Sequence, residues 1–136
     1  MAKETLDICV DFDGTTVSHD YPRIGADIGA IPVLKRLVRE GHNLIIFTMR
    51  SGDTLDQAVK WYSDNKIPLY GVNRNPRQGW TKSPKAYGQL YIDDAALGAP
   101  LKMDKNVSDR PFIDWVVVEQ MLEQAGLLTN KSKENV

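Results

Sequence analysis

Apolar residues along this chain fall into short blocks that alternate between two kinds of spacing. Leu6-Asp7-Ile8-Cys9-Val10-Asp11 is a β-branched run that predicts a strand buried on both faces, with Asp11 at its C-terminal end. Residues 12–24 are rich in Gly, Thr, Ser, Asp and Pro and read as a loop. Ile28, Ile31, Leu34, Leu37 and Val38 then recur at helical spacing, and Gly41 supplies the stop. Leu44-Ile45-Ile46-Phe47 predicts a second buried strand, which delivers Thr48 at its end. A helix capped by Asp53 or Thr54 runs to about Asn65, with Leu55, Val59 and Tyr62 on one face. A short strand over 69–72 and a loop over 73–84 follow. Gln89-Leu90-Tyr91-Ile92 is a fourth strand that ends at Asp93-Asp94. A polar, basic stretch reaches Asp109, and a final helix is expected from Pro111, as its first residue, to Ala125, with Gly126 after it. The polar tail beyond Leu128 is expected to fray.

Strands alternating with amphipathic helices imply an α/β protein: a Rossmann-like parallel sheet with helices on both faces. With 136 residues the chain fits one domain, over 1–128, followed by a polar tail at 129–136. The composition, 42% hydrophobic and 26% charged, is that of an ordinary globular protein. A net charge of −1 creates no global field toward nucleic acid or membrane. The one cysteine, Cys9, lies in the first strand, which excludes an internal disulfide framework and a Cys-rich zinc site. The start, Met1-Ala2-Lys3-Glu4-Thr5, lacks a signal peptide's apolar run, and no stretch approaches the ~20 apolar residues of a membrane helix. The expectation is a soluble, cytoplasmic protein with no membrane partner.

In parallel sheets of this kind ligands sit at the carboxyl ends of the strands. The polar residues expected at three strand ends are Asp11, Thr48 and the pair Asp93-Asp94. In Asp11-Phe12-Asp13-Gly14-Thr15 two carboxylates lie two residues apart, and a turn at Gly14 lets both face one pocket. Three or four carboxylates at one edge repel each other and need a cation. All-oxygen ligands suit Mg²⁺, whereas zinc would want His or Cys. A hydroxyl such as Thr48 and a lysine beside such a cluster make a site for a phosphate group. A carboxylate in line with phosphorus can attack it, and a second one can protonate the leaving oxygen and then activate water.

Taken together, these motifs resemble those of haloacid dehalogenase (HAD) superfamily phosphatases. Asp11-Phe12-Asp13-Gly14-Thr15, Thr48, Lys85 in Ser83-Pro84-Lys85, and Tyr91-Ile92-Asp93-Asp94 stand in that family's order, over about residues 6–100. The resemblance implies Asp11 as nucleophile and Asp13 as general acid/base. It implies Thr48 and Lys85 as phosphoryl-binding groups, with Lys85 preferred to Lys82 by its distance from the aspartate pair. Mg²⁺ would be held by the Asp11 carboxylate, the Asp13 backbone carbonyl and Asp93, with Asp94 assisting. Retention of Asp13 favours phosphate esters over carbon–halogen bonds. Neither gap between motifs has room for a cap domain, so the chain is similar to the minimal, capless members.

Further candidates surround this set. Gly14 and Arg50 are placed to meet a substrate anion. Arg74, Arg77 and Lys82, with Trp80, make the 73–84 loop a mobile rim over a small phosphorylated substrate, or, as the second choice, a track for nucleic acid. His19 is read as a flap residue and His42 as the residue after a helix stop. Two alternatives keep the fold: a phosphatase for polynucleotide ends or proteins, and a catalytically idle phosphate-binding protein. Phosphoacceptor receiver domains use similar residues, but there a lone Asp ends a middle strand, which the order here does not match.

Overall fold

The computed structural model describes residues 4–130. Its first strand, β1 (Asp7–Val10), is wholly buried and lies between two parallel neighbours, as the apolar run Ile8-Cys9-Val10 requires. The helix α1 (Ala30–Arg39) leads to β2 (Asn43–Ile46), and α2 (Gly52–Asp64) leads to β3 (Gly71–Val72). The next strand, β4 (Leu90–Ile92), returns to the other side of β1, so the sheet order is β3-β2-β1-β4, parallel throughout. A small antiparallel pair, β5 (Leu101–Lys102) and β6 (Phe112–Ile113), precedes α3 (Trp115–Gln124). Among the described residues no helix is long and apolar enough to cross a membrane.

Gly41 ends α1 as expected. It adopts φ 98°, and the amides of Gly41 and His42 bond back to the Val38 and Leu37 carbonyls, which uses up two otherwise unpaired acceptors. The start of α3 differs from expectation. Asp114, not a residue before Pro111, caps it, and its carboxylate accepts from the Val116 and Val117 amides. Residues 112–113 are spent on β6 instead, where the Ile113 amide also reaches the Gly14 carbonyl. Ser51, not Asp53 or Thr54, occupies the cap position of α2.

The α/β class and the parallel sheet are as expected, but the helices are not divided between two faces. Ile8, Val10, Leu44, Ile46 and Ile92 point to one face and share a single core with Leu34 and Leu37 of α1, Ala58 and Tyr62 of α2, and Trp115, Val118 and Leu122 of α3. The opposite face, marked by Cys9, Ile45 and Tyr91, packs against Ala86 in the β3–β4 connection. The 73–88 segment therefore does the work of a helix without forming one. Two buried amides hold it together. Gln78 Oε1 accepts from the Asn75 and Tyr87 amides while its Nε2 donates to the Ser83 and Lys85 carbonyls. Asn75 Nδ2 donates to the Tyr87 carbonyl and to Asp7. The expected mobile rim is instead a fixed cover.

The described part of the tail is also tied down. Arg36 donates to Glu119 and Glu123 of α3 and to the Thr129 carbonyl, and Glu40 accepts from the Thr129 amide and hydroxyl. The remainder of the expected tail lies outside the described residues.

Asp7 anchors the cover from the N-terminal end of β1. Burial works to raise its carboxyl, but donors from Asn43 and Asn75 and the Arg77 charge outweigh it, so Asp7 titrates below its usual 3.8. The stability this gives is present above the usual carboxylate range and is lost as pH falls through the depressed value. Asn75→Ala should cost about 1–3 kcal/mol at neutral pH, because it leaves a buried carboxylate and carbonyl short of a donor. A chemical denaturation midpoint measures it, and an unchanged midpoint would deny the cover its anchoring role.

Candidate functional site

The strand ends deliver the polar residues to one edge of the sheet. Beyond the paired positions Val10, Ile46 and Ile92, the Asp11 amide donates to the Ile92 carbonyl and the Phe47 amide donates to the Val10 carbonyl. This sets Asp11 between the segments that carry Thr48 and Asp93. Carboxylate oxygens of Asp11, Asp93 and Asp94 all lie within 4.8 Å of one another. Burial, followed by the charges of Asp93 and Asp94, pushes the Asp11 carboxyl from 3.8 up to about 8, although the Thr15 hydroxyl works the other way. An all-oxygen, half-buried trio of this kind could hold a hard divalent cation.

The turn after Asp11 is built to orient this trio. The Thr15 hydroxyl lies 2.8 Å from Asp11 Oδ2 and 3.3 Å from Asp94 Oδ1, and it accepts from the Asp94 amide at 2.9 Å. The Thr16 hydroxyl donates to the Asp11 carbonyl. Trp115 Nε1 donates to the Thr15 carbonyl from α3 and so links the turn to the core. His19 Nε2 sits 2.9 Å from Asp94 Oδ2. In sequence Thr15 stands in the acidic motif with no role of its own, and His19 is expected only as a flap residue. The signal for Thr15 is its place directly after Gly14 in the acidic motif. None of this kind marks His19, whose contact spans 75 residues of sequence.

Gly14 does not reach out to a substrate. Its amide donates to the Val17 carbonyl, and its φ is +83°. A Cβ there would stand 2.0 Å from His19 Nε2 and 2.5 Å from Asp94 Oδ2. Gly14 is what allows the histidine–aspartate pair to pack onto the turn.

Arg50 is likewise not free for a substrate. Its guanidinium grips Asp13 through two bonds of 2.7 and 2.8 Å, and its other donors go to the Pro22, Arg23 and Thr54 carbonyls. Asp13, expected to face the same pocket as Asp11, therefore has both side-chain oxygens in the arginine fork and stands outside the three-carboxylate cluster. Thr48 is where expected, after β2. Its hydroxyl accepts from the Arg50 amide, and its own amide donates to Asn73 Oδ1 at 2.7 Å. Asn73 holds this position with φ 54° at the end of β3.

The basic loop residues divide. Lys85 Nζ lies 5.2 Å from the Tyr91 ring, on the strand that carries Asp93 and Asp94. Among the described residues no ion pair joins it to the acidic trio. Lys82 is exposed. Arg74 spends its donors on the Gln78, Thr81 and Ser83 carbonyls of its own loop. Arg77 pairs with Asp7 at 3.3 Å and lies over the Tyr70 ring, which puts it at the opposite end of β1 from Asp11. The cationic groove needed to track nucleic acid is thus not assembled from Arg74 and Arg77. His42 is buried, with Nδ1 accepting from the Leu6 amide and Nε2 bonded to the Leu127 carbonyl, a structural role.

No family model and no curated protein matches the chain. Among solved structures, a conserved protein from Bacteroides thetaiotaomicron shares 34% identity, with a TM-score of 0.74, over 90% of this chain and 93% of that one. The chain belongs to the same family as that protein.

Gly14→Ala should force His19 from Asp94 and strain the turn, at a cost of about 1–3 kcal/mol. The expected result is a lower thermal midpoint, with a shifted imidazole resonance for His19. A variant as stable as the parent, with that resonance unmoved, would contradict the packing described.

Proposed function

We propose that this chain is a Mg²⁺-dependent phosphatase of the HAD type, which hydrolyses a small phosphate monoester through an aspartyl-phosphate on Asp11. The observation that carries the reading is the meeting of Asp11 with Asp93 and Asp94 at the C-terminal ends of adjacent parallel strands. Three carboxylates so close draw added positive charge, and burial together with the charges of Asp93 and Asp94 raises the Asp11 carboxyl. Asp11, Asp93 and Asp94 fit Mg²⁺ by their oxygen donors, and the ion would neutralise this edge and the phosphate brought to it.

In this reading the Asp11 carboxylate, oriented by Thr15, attacks phosphorus. The ester P–O bond breaks, and the leaving oxygen takes a proton from Asp13, which enters this step as the neutral acid and becomes the carboxylate. Water then attacks the phosphorus of the aspartyl-phosphate and gives a proton to Asp13. The acyl P–O bond breaks, which releases phosphate and restores Asp11. The Thr48 hydroxyl, whose proton is not spent on the Arg50 amide it accepts from, donates to a phosphoryl oxygen. Lys85 leaves the Tyr91 ring to supply the neighbouring charge. The retirement of Arg74 and Arg77 into structural bonds favours a small phosphorylated metabolite over nucleic acid.

Phosphate release from p-nitrophenyl phosphate with Mg²⁺ tests the reading directly. Asp11→Asn should lower kcat by on the order of 10⁴- to 10⁶-fold. Turnover that survives chelation, or that Asp11→Asn leaves intact, would sink it.

A second expectation concerns pH and needs no substrate. In the metal-free protein the raised Asp11 carboxyl keeps a proton that the unfolded chain has released, across the window from 3.8 to about 8. Unfolding in that window releases a proton, so stability falls as pH rises through it. The thermal midpoint without metal should therefore be lower near pH 8 than near pH 5, and Mg²⁺ should raise it more at the higher pH. Asp93→Ala should remove most of the Mg²⁺ effect. A Mg²⁺ increment independent of pH and of Asp93 would contradict this placement of the ion.

A further inference from the structure

The side chain of Arg50 is 1% exposed, and each of its five N–H groups is bonded. Two bonds go to the Asp13 carboxylate, and two go to the Pro22 and Arg23 carbonyls in the loop that follows the acidic turn. The fifth goes to the Thr54 carbonyl in the first turn of α2. The guanidinium carbon lies 5.0 Å from the Phe12 ring centroid and 5.2 Å from that of Tyr21.

We propose that Arg50 is a positioning residue that fixes the Asp13 carboxylate in one orientation and couples it to the seating of the 20–24 loop. The part that concerns Asp13 in catalysis rests on the phosphatase reading, whereas the part that concerns the loop does not. Burying a guanidinium is costly unless every donor is paired, so the cation is stable only while both Asp13 and the loop carbonyls are in place. The two-point fork also removes the carboxylate's freedom to rotate. Each Asp13 oxygen keeps a second lone pair, which can carry the proton given to a leaving oxygen or accept one from a water. The loop itself is exposed at Tyr21, Pro22 and Arg23, and a loop that open would ordinarily bond its carbonyls to water. Here a buried cation holds them from below. An open loop would strip Arg50 of two acceptors and loosen its grip on Asp13. Asp13 is thus fully aligned only when the loop is down beside the site.

Two readouts on the full chain test the proposal. The first is kinetic, in single turnover, on a series of alkyl and aryl phosphates. Arg50→Ala should lower kcat on the order of 100-fold for alkyl esters, less for aryl esters, and change KM little. Added to Asp13→Asn it should cost almost nothing more. Arg50→Lys, or methylguanidinium supplied to Arg50→Ala, should restore part of the rate. The second readout is trypsin cleavage between Arg23 and Ile24, whose carbonyl is one that Arg50 holds. Cleavage should quicken about tenfold in Arg50→Ala, and by less in Arg50→Lys and in Asp13→Asn. If Arg50→Ala does not fold, Arg50→Lys carries both arms. Equal losses across the leaving-group series, additive with Asp13→Asn, would reduce Arg50 to a structural residue. An unchanged cleavage rate would remove the coupling to the loop. If the parent protein released no phosphate from any ester, the phosphatase reading and the catalytic half of the proposal would fall together, while the cleavage arm would still judge the loop.

Discussion

Crowding of negative charge at one edge of the sheet is the constraint on which the rest depends. Asp11, Asp93 and Asp94 come from two adjacent strands and lie within 4.8 Å of one another. Left to themselves they repel, and that repulsion adds to burial, the larger cause, in raising the Asp11 carboxyl. A protein selected only for stability would separate these groups. This one fixes them more firmly, with the Thr15 hydroxyl between Asp11 and Asp94 and Gly14 opening room for His19 against Asp94. The fourth carboxylate, Asp13, is kept apart by its own buried cation, Arg50. The site is therefore a trio of carboxylates, with His19 against Asp94, beside one carboxylate held by a buried arginine. In the proposed phosphatase reading, that asymmetry would suit one group to meet phosphorus and a metal and the other to handle a proton.

The scaffold makes this arrangement rigid with few residues. The helices share one core on one face of the sheet, so the acidic turn is backed by Trp115 of α3 and Tyr62 of α2. The other face is covered by a loop held by the side-chain amides of Asn75 and Gln78. A right-handed crossover from β3 to β4 must pass over that face. This connection, interrupted by Pro76, Gly79 and Pro84, forms no helix, and backbone groups that a helix would satisfy internally are satisfied by Gln78 and Asn75 instead.

The sheet and its loaded edge are legible in the sequence because unbroken β-branched runs leave few alternatives to buried parallel strands. Asp11, Thr48 and Asp93 follow by position, since each stands just past such a run. Arg50, Arg77 and His19 do not follow, because their partners lie 37, 70 and 75 residues away and only the folded chain brings them together. An arginine two residues after Thr48 looks free to meet an anion until its five acceptors are known. The 73–84 stretch, polar and rich in turn residues, reads as mobile for the same reason. The clue it offered was the need of Cys9, Ile45 and Tyr91 for a cover, which that crossover alone could provide. α3 starts later than Pro111 suggests, because proline at a first helical position is a weaker signal than Asp114, whose carboxylate caps two amides.

The most direct measurement of the central claim is chemical capture of the phosphorylated protein. The parent chain, incubated with Mg²⁺ and radiolabelled acetyl phosphate and quenched in acid, should carry a hydroxylamine-sensitive label. Peptide mapping should find that label on Asp11, and Asp11→Asn should acquire none. A label on Asp93 or Asp94, or a chain that turns over phosphate esters while Asp11 stays unlabelled in the quenched protein, would contradict the account.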